Sequence, residues 1–415
     1  MSDATDAIVQ QAPATSIAFA PQDPQTATTP LPAQSLAPSP AARPAWIEID
    51  LSQLRRNFQA INRHKAAEVR VLGVVKDEAY GHGALPVARI AMECGVDFFG
   101  LSTLDEAIML RQHGIQARLL LLGDRHEAEH PDCIRHSLTC CLSEPRAVEH
   151  LGRLAANAGR RVPVHMKINT GMNRYGVCWE QAASLAALIC SMPALRLEGV
   201  LSHFAQSDET DKSFAKLQLA RFNLVLEEMA QRGIPVELRH LSNSGGFLDL
   251  PQAHFDMVRV GILPLGVYPS SVCRRLPGIE PAMTVKARIA AIQELQPGDT
   301  VGYGMRYAAT SPRRIAVLPL GYGDGFPRVR NQGCALVHGQ RVPIVGGVAM
   351  DALTVDITEA PEAQLWDEAV LMGRQGQEEI SVHELAKLKN SVSYDVLAGW
   401  RARLPRIFLN QTPPA

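Results

Sequence analysis

The feature that most limits the folds open to this chain is a series of aliphatic segments alternating with helical ones between residues 69 and 262. The segments at 69–75, 97–101, 118–122, 137–142, 162–168, 197–201 and 236–240 are short, rich in Val, Ile and Leu, and bounded by polar turns. Continuous apolar runs of this length read as strands buried on both faces, the pattern of parallel sheets. The stretches between them carry helix signals. In 103–114, TLDEAIMLRQHG, Thr103 and Glu106 form a capping box and Gly114 a C-terminal stop. The longest helical stretch covers 213–233. Repeated β-α units of about 20–40 residues predict a (β/α)8 barrel, an α/β fold, rather than strands and helices in separate blocks.

Beyond about residue 268 the texture changes. Short strands at 283–294, 300–302, 315–319, 335–337, 342–345, 353–357 and 368–372 are separated by Gly- and Pro-rich links, which predicts a mostly β second domain. The expected division is a disordered Ala/Pro-rich tail at 1–44, the barrel at 45–270 and the β-domain at 271–415. The opening strand, 45–51, is a candidate to pack with the second domain, and Ser52 is the expected N-cap of a helix reaching about His64. A barrel followed by a β-domain places a cleft where the two meet. The tail lacks the basic start and continuous apolar centre of a secretory signal, since 16–20 (SIAFA) is too short, and it has no basic residue until Arg43. A net charge of −1 gives no electrostatic case for nucleic acid or a membrane surface. The eight cysteines include no CxxC pair, and reduced thiols in a cytoplasmic protein are expected.

Residues 69–83, VRVLGVVKDEAYGHG, place Lys76 at a strand's C-terminal end, where parallel α/β barrels keep their chemistry. Two readings stand for that lysine on this run alone: a solvated residue closing a strand, or a desolvated amine acting as nucleophile and base. Other motifs fall at the ends of later strands. They put Arg174 in NTGMNRYG (169–176), His203 in LSHFAQSD, Ser244 in HLSNSGG (240–246), and Arg259, Gly261 and Ile262 in MVRVGI (257–262). A hydroxyl with bare glycine N–H groups suits an anion. Together with Lys76 the set suits a phosphorylated cofactor whose carbonyl condenses with the lysine. In the β-domain, VGYGMRY (301–307) sets Tyr303 between glycines, most simply as a hairpin with one packed aromatic. GYGDGFP (321–327) carries Tyr322, VAMD (348–351) carries Met350, and Tyr394 lies near the C-terminus. His126, His130, Cys133 and His136 match no standard zinc spacing, so no metal is expected. The acidic stretch 359–379 reads as a solvated face.

At this point the chain resembles the alanine racemases, fold-type-III enzymes dependent on pyridoxal 5′-phosphate (PLP). The resemblance runs from about Ala45 to Phe408 through VVKDEAYGHG, KINTGMNRYG, SHFAQSD, HLSNSGG, MVRVGI, VGYGMRY, LGYGDGFPR, IVGGVAMD and SYDV, in the family's order. It implies a homodimer with shared active sites, interconverting L- and D-alanine to supply peptidoglycan or to catabolise alanine. By the same resemblance Lys76 binds PLP covalently and is one of two bases; Tyr303 of the other subunit is the second, on the opposite face of the substrate. Tyr80, Ser244, Gly261, Ile262 and Tyr394 hold the phosphate. Arg259 faces the pyridine nitrogen and His203 links Arg259 to Tyr303. Arg174 and the backbone of Met350 hold the substrate carboxylate, Tyr322 walls the access route, and Lys167 matches a lysine that is carbamylated in many members.

The chain also departs from the family pattern. Asp77 and Glu78 follow the lysine and are expected to raise its pKa unless both point away. Asn169 replaces a commoner aspartate. Gly245 and Gly246 replace a commoner Ala pair, which predicts a looser phosphate loop. The competing readings are a broad-specificity amino-acid racemase of the same fold and, behind it, a fold-type-III decarboxylase. The latter uses a cysteine-containing motif where this chain has VAMD.

Overall fold

The computed structural model describes residues 43–410. The expected tail, 1–44, therefore lies outside the described residues except for Arg43 and Pro44.

Eight parallel strands form the barrel in the order Met257–Val260, Arg70–Val74, Phe98–Leu101, Arg118–Leu121, Thr139–Leu142, Val162–Asn169, Leu195–Leu201 and Leu238–His240. Backbone hydrogen bonds from Asp256 to Arg239 (3.1 Å) and from Arg259 to Ser242 (2.9 Å) bring the last strand against the first. Leu72, Phe98, Leu120, Cys141, Leu201, Leu238 and Met257, one from each of seven strands, pack as a small apolar cluster of their own. A larger cluster fills the space between strands and helices. Side chains alternate along a strand, so polar residues two positions from these core residues also point inward. Arg118, His165, Lys167, His240 and Arg259 occupy such positions or share their spacing.

The expected helices form with the expected signals in most places. Thr103 and Glu106 make the capping box of Leu104–Gln112, and Gly114 follows with φ 83°. Ser213–Gln231 is the longest described helix. The first helix, Leu51–His64, is a correction: its N-cap is Asp50, whose carboxylate accepts from the Gln53 N–H at 3.0 Å, and Ser52 lies inside the helix. Asp50 ends the preceding strand, so one side chain both stops the strand and starts the helix. No helix among the described residues is long and apolar enough to cross a membrane.

Past the barrel the chain builds a seven-stranded sheet, a three-stranded sheet (Ala291–Leu295, Arg313–Leu318, Leu353–Asp356) and a two-stranded hairpin (Thr300–Val301 with Tyr307–Ala308). The opening strand, Ala45–Asp50, joins the seven-stranded sheet, antiparallel to Met283–Arg288 and parallel to Arg406–Leu409. The stretch 359–379 is not simply a solvated face. Strand Glu368–Gln375 lies within it and pairs on both sides, and Ala369, Val370, Leu371 and Met372 are buried. Its charges sit at the ends while the centre is apolar. The second part is mostly β, as expected, and helices Val382–Lys389 and Ser393–Gly399 close it.

Asp324 is fully buried where these parts meet. Arg43 grips it through both oxygens at 2.6 and 2.7 Å, Arg403 adds a contact at 3.0 Å, and the Gly321 N–H a further one at 2.9 Å. Burial by itself would raise the carboxyl pKa, but the Arg43 hydrogen bonds, the Gly321 N–H and the nearby guanidinium charges hold it below the ordinary value. Asp324→Ala should cost about 1–3 kcal/mol, read as a lower denaturation midpoint, because it leaves the buried Gly321 N–H without its acceptor and takes a shared carboxylate from two partly exposed guanidinium groups. The folded pKa is depressed, so the stabilisation is present above the unfolded carboxylate pKa of about 3.9 and is lost as pH falls through the lower folded value.

Candidate active site

Lys76 is the second residue past strand Arg70–Val74, and the chain beyond it turns in an unusual way. Asp77, Glu78, Ala79 and Tyr80 all have φ between 49° and 53°, a left-handed turn of consecutive non-glycine residues. Each such residue costs roughly 1–2 kcal/mol, so neighbours must hold the turn in place. Glu106 does so at one end, accepting from the Asp77 N–H at 2.7 Å and the Ser102 N–H at 2.8 Å. Glu78 turns back and accepts from the Ala84 N–H at 3.0 Å, capping the next helix, and Ala79 is fully buried. The turn carries Tyr80 into the cavity that Lys76 lines.

That cavity, of about 700 Å³, lies at the C-terminal ends of the barrel strands. Lys76, Tyr80, Lys167, Arg174, His203, Ser244, Arg259, Gly261, Ile262 and Tyr394 all line it, as expected from the motifs. Tyr80 and Tyr394 meet edge to face with ring centres 6.0 Å apart, and burial pushes both phenol pKa values up, so both hydroxyls stay protonated donors. Ser244 Oγ accepts from the Gly261 N–H at 3.3 Å. A Cβ on Gly261 would come within 2.7 Å of the Tyr80 hydroxyl, so only glycine admits that tyrosine. The expectation of a looser loop at Gly245 and Gly246 does not hold. Both are buried, and a Cβ there would stand 2.8 Å from Ser207 Oγ and 3.0 Å from the Phe204 ring, respectively. The glycines fit a tight enclosure. Asn169 serves the turn that bears Arg174, its Oδ1 accepting from the N–H groups of Gly171 and Asn173 at 3.0 Å each.

The cavity is strongly cationic. Burial, then Arg174, lowers the Lys76 pKa, while Glu106 and Asp77 push it the other way without prevailing. The expected rise from Asp77 and Glu78 is thus reversed: Glu78 is engaged as a cap, and desolvation outweighs Asp77. Lys167 is likewise lowered by burial, donates to the Leu122 carbonyl at 2.6 Å, and stands 5.2 Å from the centre of the Tyr175 ring. Arg259, buried, donates to the carbonyls of Ser202 (2.7 Å), His240 (2.9 Å) and Leu241 (3.1 Å) and to His203 Nδ1 (2.9 Å). Burial lowers its pKa only to about 10, so it stays charged near neutrality. An arginine only donates, so His203 Nδ1 must accept and its proton sits on Nε2. Burial and then the Arg259 charge hold His203 well below its ordinary pKa, as a neutral ring.

Tyr303, Tyr322 and Met350 are not among the residues lining this cavity. Tyr303 and Tyr322 line a separate pocket of about 460 Å³. Tyr303 forms the tip of the two-stranded hairpin and is not a packed aromatic: it is 84% exposed, with Met305 at 71% and Met350 at 52%. His126 caps a short helix, accepting from the Ala128 N–H, while His130 is buried against His150. Among the described residues no cluster of three His, Cys, Asp or Glu is placed to hold a metal ion.

The family model for the N-terminal domain of alanine racemase matches residues 49–269, and that for its C-terminal domain matches 282–408. The chain belongs to the alanine racemase family. Alanine racemase of Syntrophobacter fumaroxidans is 40% identical over 353 residues, 85% of this chain and 94% of that protein. The Carboxydothermus hydrogenoformans alanine racemase is 40% identical over 88% of this chain and 100% of its own. Among solved structures, alanine racemase of Clostridium difficile 630 superposes with a TM-score of 0.85 at 30% identity, covering 89% of this chain and 97% of that one. The Bacillus anthracis alanine racemase with bound L-Ala-P gives 0.84 at 32%, covering 90% and 97%. As a family member the chain is an amino-acid racemase, an isomerase, built on the barrel and β-domain described above.

Within this racemase, sequence reasoning overlooked Arg125, Tyr175 and Ser102, which also line the cavity. Their signal was positional: each follows a barrel strand on the same face as Lys76. Glu106 was read only as a helix cap, and its hold on Asp77 depends on a contact across 29 positions.

Proposed function

We propose that this racemase interconverts L- and D-alanine with PLP bound at Lys76, and that a second copy of the chain completes each active site. The observation that carries the reading is the convergence of a desolvated lysine, a buried arginine and a cradle of Tyr80, Tyr394, Ser244, Gly261 and Ile262 on one cavity. These residues fit PLP: phenol, hydroxyl and backbone N–H donors for a phosphate dianion, and a fixed cation for the ring nitrogen. PLP supplies, when bound, conjugation that makes the substrate Cα proton acidic.

The chain's own groups do the rest. Lys76 Nζ holds or moves the proton on one face of Cα. The Tyr303 hydroxyl of a partner copy serves the other face, and two fixed bases need no reorientation between steps. Exposure of Tyr303, Met305 and Met350 supports a face that another subunit covers. His203, whose Nδ1 accepts from Arg259, offers its Nε2–H toward the Tyr303 hydroxyl of the partner copy. Arg174, with the Met350 N–H of the partner copy, orients the substrate carboxylate, and the partner copy's Tyr322 borders the access route. Lys167, buried beside Arg174 with a lowered pKa, is suited to carbamylation, which would turn its cation into an anion able to brace Arg174. Arg259 keeps its proton and would donate to the ring nitrogen of bound PLP, leaving that nitrogen neutral, which would disfavour transamination. The absence of disulfides among the eight cysteines supports a cytoplasmic setting.

The direct test is racemisation of L-alanine by the purified protein, with its absorbance spectrum recorded before and after PLP is added. A protein that stays colourless with added PLP refutes the cofactor. Rates on L-lysine or L-arginine comparable with alanine refute the narrow specificity in favour of the broad-specificity racemase. Gly261→Ala, which displaces the Tyr80 hydroxyl, should weaken PLP binding about 10- to 100-fold, the loss of one charge-assisted hydrogen bond. Because Asp77 raises the Lys76 pKa, Asp77→Asn should move the acidic limb of PLP capture by the cofactor-free protein to lower pH. A shift to higher pH would contradict that sign.

A further inference from the structure

Arg259 has a second imidazole neighbour besides His203. Its Nη1 donates to His240 Nδ1 at 3.2 Å. His240 Nε2 lies 2.8 Å from His165 Nδ1, and His165 Nε2 lies 3.3 Å from Glu198 Oε2. The other oxygen of Glu198 receives Arg118 at 2.9 Å and Arg196 at 2.7 Å. His165 and His240 are fully buried, Glu198 is 1% exposed and Arg259 3%. The line thus runs through the barrel from the cavity to Arg118, the first residue of its strand and part of a basic cleft on the opposite side.

Counting protons along this line leaves one arrangement. Arginine has donors only, so His240 Nδ1 accepts and its proton sits on Nε2. That Nε2–H points at His165 Nδ1, which therefore accepts, and the His165 proton sits on Nε2 facing the carboxylate. The reverse tautomers would oppose N–H to N–H at Arg259 and a bare nitrogen to Glu198. Burial keeps both imidazoles below their ordinary pKa, hence neutral. For Glu198 burial pushes the pKa up, but the His165 hydrogen bond and the Arg118 and Arg196 contacts overcome it and bring it down to about 2. Donors and acceptors are matched from a fixed cation at one end to a fixed anion at the other.

We propose that His165 and Glu198 are positioning residues: the Glu198 carboxylate sets the tautomers of His165 and His240, and His240 so set holds the Arg259 guanidinium in the orientation it presents to the cavity. Neither residue lines the cavity or touches a reacting atom. The effect on rate rests on the reading that Arg259 serves the cofactor's ring nitrogen, whereas the tautomer assignment stands without it.

The experiment pairs 15N NMR of histidine-labelled protein, with and without PLP, with kinetics and thermal melting of Glu198→Gln. In the unsubstituted protein His165 and His240 should both show protonated Nε2 and bare Nδ1. A protonated Nδ1 on either ring overturns the proposal, whether or not any variant folds. Glu198→Gln keeps the side-chain volume but removes the charge. It should mix the tautomers and lower kcat per bound cofactor about 10- to 100-fold while KM for alanine changes little, as for removal of a partner that orients a functional group. Glu198→Asp, which retains the charge, should recover part of that loss. A Glu198→Gln protein that melts lower but keeps its kcat and its tautomers shows a purely structural role and also overturns the proposal. If the tautomers are as assigned but the protein never takes up PLP, the cofactor reading fails and the positioning chain survives.

Discussion

Lys76→Ala is expected to lower racemisation at least about 10³-fold and to remove the visible absorbance of lysine-bound PLP, because in the proposed site one change deletes both the covalent anchor and one base. The fold should survive. The turn at Lys76 is secured from other positions, by Glu106 and Glu78. Lys167 also lines the cavity with a lowered pKa, so a persistent PLP band in the variant would mean that Lys167 captures the cofactor and would sink the assignment of Lys76.

Tyr303→Phe should keep the absorbance band and the melting temperature, since the side chain is 84% exposed in the single chain, yet lose about 10²- to 10⁴-fold in kcat. The loss has a direction. Exchange of the Cα proton with deuterated solvent should fail chiefly for one antipode of alanine, and equal loss in both contradicts opposite-face bases. Mixing the two inactive proteins decides where Tyr303 acts. If it serves the partner's cavity, a dimer of one Lys76→Ala chain and one Tyr303→Phe chain contains one intact site and one doubly impaired site, and activity returns. If it served its own cavity, both sites would remain impaired and mixing would restore nothing.

Much of the site was legible in the sequence because parallel barrels place chemistry at strand ends. An apolar run followed by a reactive side chain locates that side chain in space, which is why Lys76, Arg174, His203, Ser244 and Arg259 could be grouped before any coordinates. The strand at 368–372 was legible from its apolar run, but its burial was obscured by flanking charges, since the composition of 359–379 averages over a buried centre and wet ends. The left-handed turn at 77–80 was illegible for a different reason. Ala79 and Tyr80 have no local preference for positive φ, and the conformation exists only because Glu106, Glu78 and the core around Ala79 impose it.

By itself the chain determined the alternation of strands and helices, the face of the barrel that carries the chemistry and the types of group gathered there. These are consequences of period, burial and end signals within a few residues. Only the tertiary structure decided the state of those groups. Whether Lys76 is raised by Asp77 and Glu78 or lowered by burial depends on where those carboxylates point. Which nitrogen of His203, His240 or His165 bears a proton depends on an arginine and a carboxylate far along the chain. Charge and protonation follow distance and dielectric, and both are properties of the folded molecule rather than of neighbours in sequence.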